Sequence, residues 1–170
     1  NQSGGVLGGG AARPGSNKGG RHGGREVDLN ATSILLIEDD PNFGSTLVEL
    51  LLEYYKVVEC ATSAAEAIAL AQKRSFHLLI TDIRIAGQVD GVGALEAIKA
   101  IQPRIRSIIM TGYADLDVPI RAARVHADDY LQKPFALQAL LQSVRSVLER
   151  ETPFRGLFQK LIQAPGGATQ

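Results

Sequence analysis

The sequence predicts a doubly wound α/β domain, a five-stranded parallel sheet with helices on both faces. Three observations predict it. Short apolar runs without polar alternation recur between residues 33 and 131, as expected of strands covered on both faces. Segments with apolar residues at helical spacing lie between those runs, and this alternation implies βαβ crossovers, which are right-handed. With 170 residues, 45% of them hydrophobic and 21% charged, the chain suits one globular domain with tails rather than two full domains.

Residues 1–32 stand apart as a glycine-rich arm with almost nothing to bury, and glycine loses the most backbone entropy on ordering, so this arm is expected to be disordered. Its Arg-His-Gly-Gly-Arg segment (21–25) faintly resembles arginine–glycine stretches that touch RNA, but a single match is weak and a plain linker or leader is the favoured reading. The first predicted strand is 33–38 (SILLIE), an apolar run ending in acids. Asp40 then suits a helix N-cap with Pro41 at the first helical position, and Leu47, Leu50, Leu51 and Tyr54 continue at helical spacing. A second strand is predicted over 56–60, and an alanine-rich second helix over 63–73. Ser63 would cap that helix, with Glu66 three residues on completing a capping box.

The third strand, 76–81, runs directly into Asp82; a glycine-bearing loop leads to a third helix over 92–101. The fourth strand, 106–110, is followed by Thr111 and Gly112. A fourth helix is predicted over 115–125, capped by Asp115 or Asp117 with Pro119 tolerated in the first turn. A brief fifth strand over 129–131 and a fifth helix over 136–150, with Leu140, Leu141, Val144, Val147 and Leu148 on one face, complete the domain at 33–150. Beyond it, 151–170 form a tail in which Thr152, Pro153 and apolar residues at 154, 157, 158, 161 and 162 predict a short amphipathic helix. That helix could pack on its own domain, meet a second copy or partner through 152–163, or lead into a further domain.

The charge balance is zero overall but uneven. Four cations against two acids give the arm +2, the tail carries +1, and the middle is therefore −3, which gives no reason to expect direct nucleic-acid binding there. The single cysteine, Cys60, excludes an internal disulfide and reads as a buried filler. No apolar stretch approaches the roughly 20 residues a membrane span needs, and no secretory h-region opens the chain. No membrane association and a cytoplasmic location are the expectations.

Open parallel sheets bind ligands beyond the carboxyl ends of their strands, where the strand order reverses. In the order 2-1-3-4-5, strands one and three flank that point, bringing Asp39 and Asp40 towards Asp82. Three carboxylates in one pocket repel, so a cation is required, and magnesium (Mg2+) suits carboxylates that share it with a phosphate. Thr111 offers a hydroxyl at the end of strand four, and Lys133 a compact ammonium after strand five. Acids, hydroxyl and ammonium on one rim fit in-line phosphoryl transfer.

Four segments in order, Ile-Glu-Asp-Asp (37–40), Ile-Thr-Asp-Ile-Arg (80–84), Met-Thr-Gly-Tyr (110–113) and Ala-Asp-Asp-Tyr-Leu-Gln-Lys-Pro-Phe (127–135), resemble the response regulator receiver family over 33–150. The resemblance implies a flavodoxin-like fold and a switch in two-component signalling. It implies that Asp82 is the phosphoacceptor, and that Asp39, Asp40, Asp82 and the Arg84 carbonyl hold Mg2+. It implies that Lys133 contacts the phosphoryl group, that Thr111 and Tyr130 switch, and that Lys133-Pro134 is cis. A sensor histidine kinase or phosphotransfer protein would be the donor. The face of the fourth helix, fifth strand and fifth helix would be the output surface, available for a homodimer. Such a domain would catalyse only its own phosphorylation and dephosphorylation.

Departures from the family pattern are Ala86, where proline is usual, and His126, where glycine is usual, so His126 is expected in a left-handed helix-end conformation. Arg84 and Tyr113 stand two residues past the acceptor and past the threonine, positions that the resemblance implies tune dephosphorylation; both are bulky, and a phosphorylated lifetime not among the shortest is expected. A binding module that no longer takes phosphate is disfavoured by the intact acids, threonine and lysine. A haloacid-dehalogenase-like phosphotransferase expects a second acid two residues past its nucleophile, where this chain has Arg84.

Overall fold

The computed structural model describes residue 28 and residues 31–85, 87–112 and 123–150. In chain order the elements are β1 (Ser33–Ile37), α1 (Pro41–Leu52), β2 (Val57–Ala61), α2 (Ala64–Lys73), β3 (Leu78–Asp82), α3 (Gly91–Ile101), β4 (Arg106–Thr111), β5 (Asp129–Gln132) and α4 (Leu137–Glu149). The expected sheet forms: all four pairings are parallel and the order is β2-β1-β3-β4-β5. The glycine-rich arm and the predicted tail helix lie outside the described residues. Of the predicted fourth helix only Ala123, Arg124 and Val125 fall within them, the first two helical.

Successive strand residues face opposite sides, and the core divides accordingly. Ile34, Leu36, Leu78, Ile80, Ile108 and Met110 pack with Leu47 and Leu51 of α1 and with Leu140, Val144 and Val147 of α4. Leu35, Ile37, Leu79 and Ile109 face the other way, against Ala64, Ala67 and Ala71 of α2 and Val92, Leu95 and Ile98 of α3. Burial on both faces explains why these strands carry no polar alternation.

The helix starts follow local chemistry. Asp40 Oδ1 accepts the amides of Asn42 (2.9 Å) and Phe43 (3.2 Å), and Pro41, which lacks an amide proton, leaves none unpaired. Ser63 caps α2 through the Glu66 amide, but Glu66 reaches back to the amide and hydroxyl of Thr62, one residue before the cap, rather than closing a capping box on Ser63. Asp90 caps α3 through the Gly93 amide. His126 has φ 55°, as expected, and its carbonyl accepts a bond from the Lys99 ammonium. Among the described residues, no helix is long and apolar enough to cross a membrane.

Candidate functional site

The carboxyl ends of β1, β3, β4 and β5 form one rim. Asp82 is the last residue of β3, and its side chain is only 12% exposed. Oδ1 accepts the Arg84 amide at 3.0 Å, and Oδ2 accepts from the Lys133 ammonium. Lys133 follows β5, its peptide bond to Pro134 is cis as expected, and its own amide donates to the Thr111 carbonyl at 2.6 Å. Thr111 ends β4 one residue beyond Met110, the partner of Asp82 in the β3–β4 register; it is buried, and its hydroxyl donates to the Gly112 carbonyl at 3.1 Å. Main-chain pairing thus sets Asp82, Thr111 and Lys133 side by side.

Glu38, which is not among the residues expected from the sequence, completes the arrangement. It directly follows β1, its side chain is 2% exposed, and Oε2 lies 3.0 Å from the Lys133 ammonium while Oε1 accepts the Asp40 amide at 3.1 Å. Lys133 therefore bridges two carboxylates from two other strands. Burial works against its charge, but the bonds to Asp82 and Glu38 outweigh that effect and hold the ammonium above its ordinary range. Burial pushes the Glu38 carboxyl above its usual range even with the Asp40 amide and Lys133 pulling it down.

Of the expected trio Asp39, Asp40 and Asp82, the last is buried and the first two are exposed. Among the described residues, no three acid, histidine or cysteine side chains close into an ion-holding group, with Asp40 or with Glu38. Asp40 is exposed, with Oδ1 committed to the first turn of α1; Asp39 is exposed at the rim; and the acid brought nearest Asp82 by a shared partner is Glu38. Alternation along β1 gives the reason. Ile34 and Leu36 face α1 and α4, so Glu38 continues on that side, towards the same loop as Lys133. A signal was available in Pro41, which fixes Asp40 as the cap and leaves Glu38 and Asp39 as the rim acids.

The donor set suits Mg2+. Carboxylates at the ends of β1 and β3 and the adjacent Arg84 backbone are hard oxygen donors of the kind Mg2+ takes. Arg84 is exposed beside Asp82. Tyr130 is half-buried opposite Ile109 and packs on the α2–α3 side together with Ala123 and Val125. Ala86 and Tyr113 lie outside the described residues.

Two aromatic rings border the site. Phe43 of α1 and Phe135 stand 6.3 Å apart at 59°, and the Lys133 ammonium lies 4.5 Å from the centre of the Phe43 ring. With Glu38, Asp40 and Pro134 they line an open cleft of about 420 Å³ beside the carboxylates.

Comparison with known proteins agrees with this geometry. The profile of the response regulator receiver domain matches residues 34–145. The transcriptional regulatory protein ZraR of Escherichia coli O157:H7 is 34% identical over 126 residues, a match covering 71% of this chain and 28% of that protein. The chain thus spans about a quarter of the length of that curated relative. A response regulator receiver domain protein from Clostridium thermocellum has a similar structure, with TM-score 0.64 at 28% identity, over 77% of this chain and 98% of that one. A response regulator protein from Burkholderia pseudomallei, with a phosphorylated aspartic acid, calcium ion and citrate, matches with TM-score 0.60 at 29% identity, over 66% of this chain and 65% of that one.

Proposed function

The chain belongs to the response regulator receiver family of two-component signalling, and from that premise we propose that Asp82 is its phosphoryl acceptor, with Lys133 as the cation that receives the transferred group. The observation that carries this reading is the Lys133 ammonium bonded at once to Asp82 Oδ2 and Glu38 Oε2. A carboxylate oxygen of Asp82 attacks phosphorus as the bond to the donor's leaving atom breaks, the imidazole nitrogen of a phosphohistidine or the acyl oxygen of acetyl phosphate. Lys133 exchanges its bond with Asp82 for one to a phosphoryl oxygen, while Glu38 keeps the ammonium at the site.

Receiver domains use a divalent ion, and Mg2+ fits the oxygens at this rim: the carboxylates of Glu38, Asp39 and Asp82 and the Arg84 carbonyl would hold it. When bound, it offsets the charge gathering on the phosphoryl oxygens. The calcium ion and phosphorylated aspartic acid of the Burkholderia neighbour support both assignments. Asp40, with one oxygen on the helix cap, contributes mainly charge.

The phosphoryl group adds about −1.5 to −2 charge. The Thr111 hydroxyl, now on the Gly112 carbonyl, would exchange that bond for the phosphoryl group, and Tyr130 would follow into the space behind it. The surface that changes is that of β5, α4 and the segment before β5, which would serve an output element or a second copy of the chain; the tail 152–163 is a further candidate contact. The donor would be a sensor histidine kinase or phosphotransfer protein, the exchange cytoplasmic, and the domain no turnover enzyme but a catalyst of its own modification.

The test is incubation with acetyl phosphate and Mg2+, read by intact mass. The expected result is a gain of one phosphoryl group that Asp82→Asn abolishes. No gain in the wild type, or an equal gain in Asp82→Asn, would overturn the assignment.

A further inference from the structure

We propose that Phe43 is a positioning residue for phosphoryl transfer, its ring face holding the Lys133 ammonium between Glu38 and Asp82. The inference rests on the reading of Lys133 as the group that receives the phosphoryl charge.

Lys133 has a flexible four-carbon stem and is 26% exposed, so two carboxylates alone do not prevent it from swinging towards water. An ammonium has three donors. Two are directed to Asp82 and Glu38, and the Phe43 ring, 4.5 Å from the nitrogen, offers its negative face to the remaining charge. The two kinds of partner differ in what happens next. An arriving phosphoryl group takes the lysine away from Asp82, whereas the ring accepts no hydrogen bond that the phosphoryl group would displace. Phe43 therefore holds the ammonium through the transfer itself.

The ring is in turn fixed from two sides. Phe43 is the third residue of α1, where its amide is bonded to Asp40 Oδ1 at 3.2 Å, so the helix cap sets the ring's starting direction. Phe135, two residues after Lys133, stands against it at 6.3 Å and 59°. The loop that delivers the lysine thus also delivers the ring that supports Phe43. Plain packing would be served by any apolar side chain of similar size; holding a cation requires the electrons of the ring face.

Graded fluorination separates these roles, because it drains the ring face at nearly constant shape. Phe43 is replaced by 4-fluoro-, 3,5-difluoro- and 3,4,5-trifluorophenylalanine, and the rate of Asp82 phosphorylation by acetyl phosphate is measured with Mg2+. The expected result is a stepwise fall reaching about two- to fivefold, with an unchanged urea midpoint, with Phe43→Trp at or above wild type and Phe43→Leu below the series. A second readout needs neither metal nor donor: the Lys133 side-chain methylene protons, followed by NMR, should show an upfield ring-current shift that Phe43→Leu removes. A rate that is flat across the series, or methylene shifts identical in wild type and Phe43→Leu, would overturn the proposal. Should the wild type take no phosphoryl group, that result counts against the function, and the methylene shifts still decide whether the ring holds the lysine.

Discussion

Lys133 Nζ lies 3.0 Å from Glu38 Oε2, a contact between residues 95 positions apart that makes a glutamate beside the expected acid pair the lysine's second partner. Bonds to Asp82 and Glu38 raise the Lys133 ammonium against its burial, and burial raises the Glu38 carboxyl against this contact.

The Glu38 carboxyl is raised above its ordinary 4.5 by burial, so the folded state binds that proton more tightly than the unfolded chain. Its contribution to stability is fully present below 4.5 and is lost as pH rises through the folded value. Wild-type stability relative to Glu38→Gln should therefore decline on raising the pH from 4.5 and then level off. Lys133, raised above 10.5, behaves the same way at the alkaline end: its contribution persists through 10.5 and is lost above it, a fall absent from Lys133→Met. Urea unfolding across pH checks both, and wild-type and mutant curves that run parallel would refute them.

Gly91 presses against the acceptor strand. A methyl group at Gly91 would lie 1.8 Å from the Asp82 carbonyl oxygen, inside any tolerable contact, and that oxygen belongs to backbone that cannot swing aside. Gly91→Ala should cost about 1–3 kcal/mol or more and slow phosphorylation of Asp82 by displacing it. Gly44→Ala, whose added carbon would meet the Cys60 sulfur at 3.2 Å, should be nearly neutral, since helix propensity offsets the tight contact. Equal stability losses for the two substitutions would count against this account.

Asp40 and Asp39 should separate by role. Asp40→Ala removes the α1 cap and should cost about 1 kcal/mol, whereas Asp40→Ser keeps an oxygen for the same amides and should cost only a few tenths. Asp39→Asn should weaken Mg2+ binding, followed by calorimetric titration, more than Asp40→Ser does. The reverse order would restore Asp40 as the principal ligand.

Gln102 ties α2 to α3 away from the site. Its Oε1 accepts the Phe76 amide at 2.8 Å, and its Nε2 donates to the carbonyls of Ala71 and Arg74, both at 2.8 Å. Gln102→Leu leaves the Phe76 amide and the end of α2 without these partners and should lower stability by about 1–3 kcal/mol, with phosphorylation of Asp82 unaffected. A loss below 0.5 kcal/mol, on the order of a neutral surface change, would show that water replaces the side chain.

The sheet was legible because uninterrupted apolar runs such as Ile34 to Ile37 and Leu78 to Ile80 leave few alternatives to buried parallel strands. Asp82, Thr111 and Lys133 were legible because each ends or follows one of those runs. Two things were less so. Which two of Glu38, Asp39 and Asp40 point to the centre depends on the side from which the chain leaves β1, and a strand buried on both faces carries no polar alternation to mark its sides. Nothing in the sequence marks Phe43, because one chain position cannot reveal that an ammonium ninety residues away will lie over its ring. The departure at His126 was visible, since a non-glycine residue stands where the helix end calls for positive φ, and the structure keeps that conformation.

The bridging of Glu38 and Asp82 by a residue after β5 also bears on synthesis. As the polypeptide is made, both acids are present well before their shared counter-ion, so a domain lacking β5 would hold the two carboxylates without it. Only when β5, the last of this sheet's five strands in chain order, docks on β4 at the sheet's border does the lysine arrive between the two acids. Readiness to take up a signal is thereby tied to completion of the sheet: a chain that stalls or frays at that border forfeits its chemistry along with its final strand.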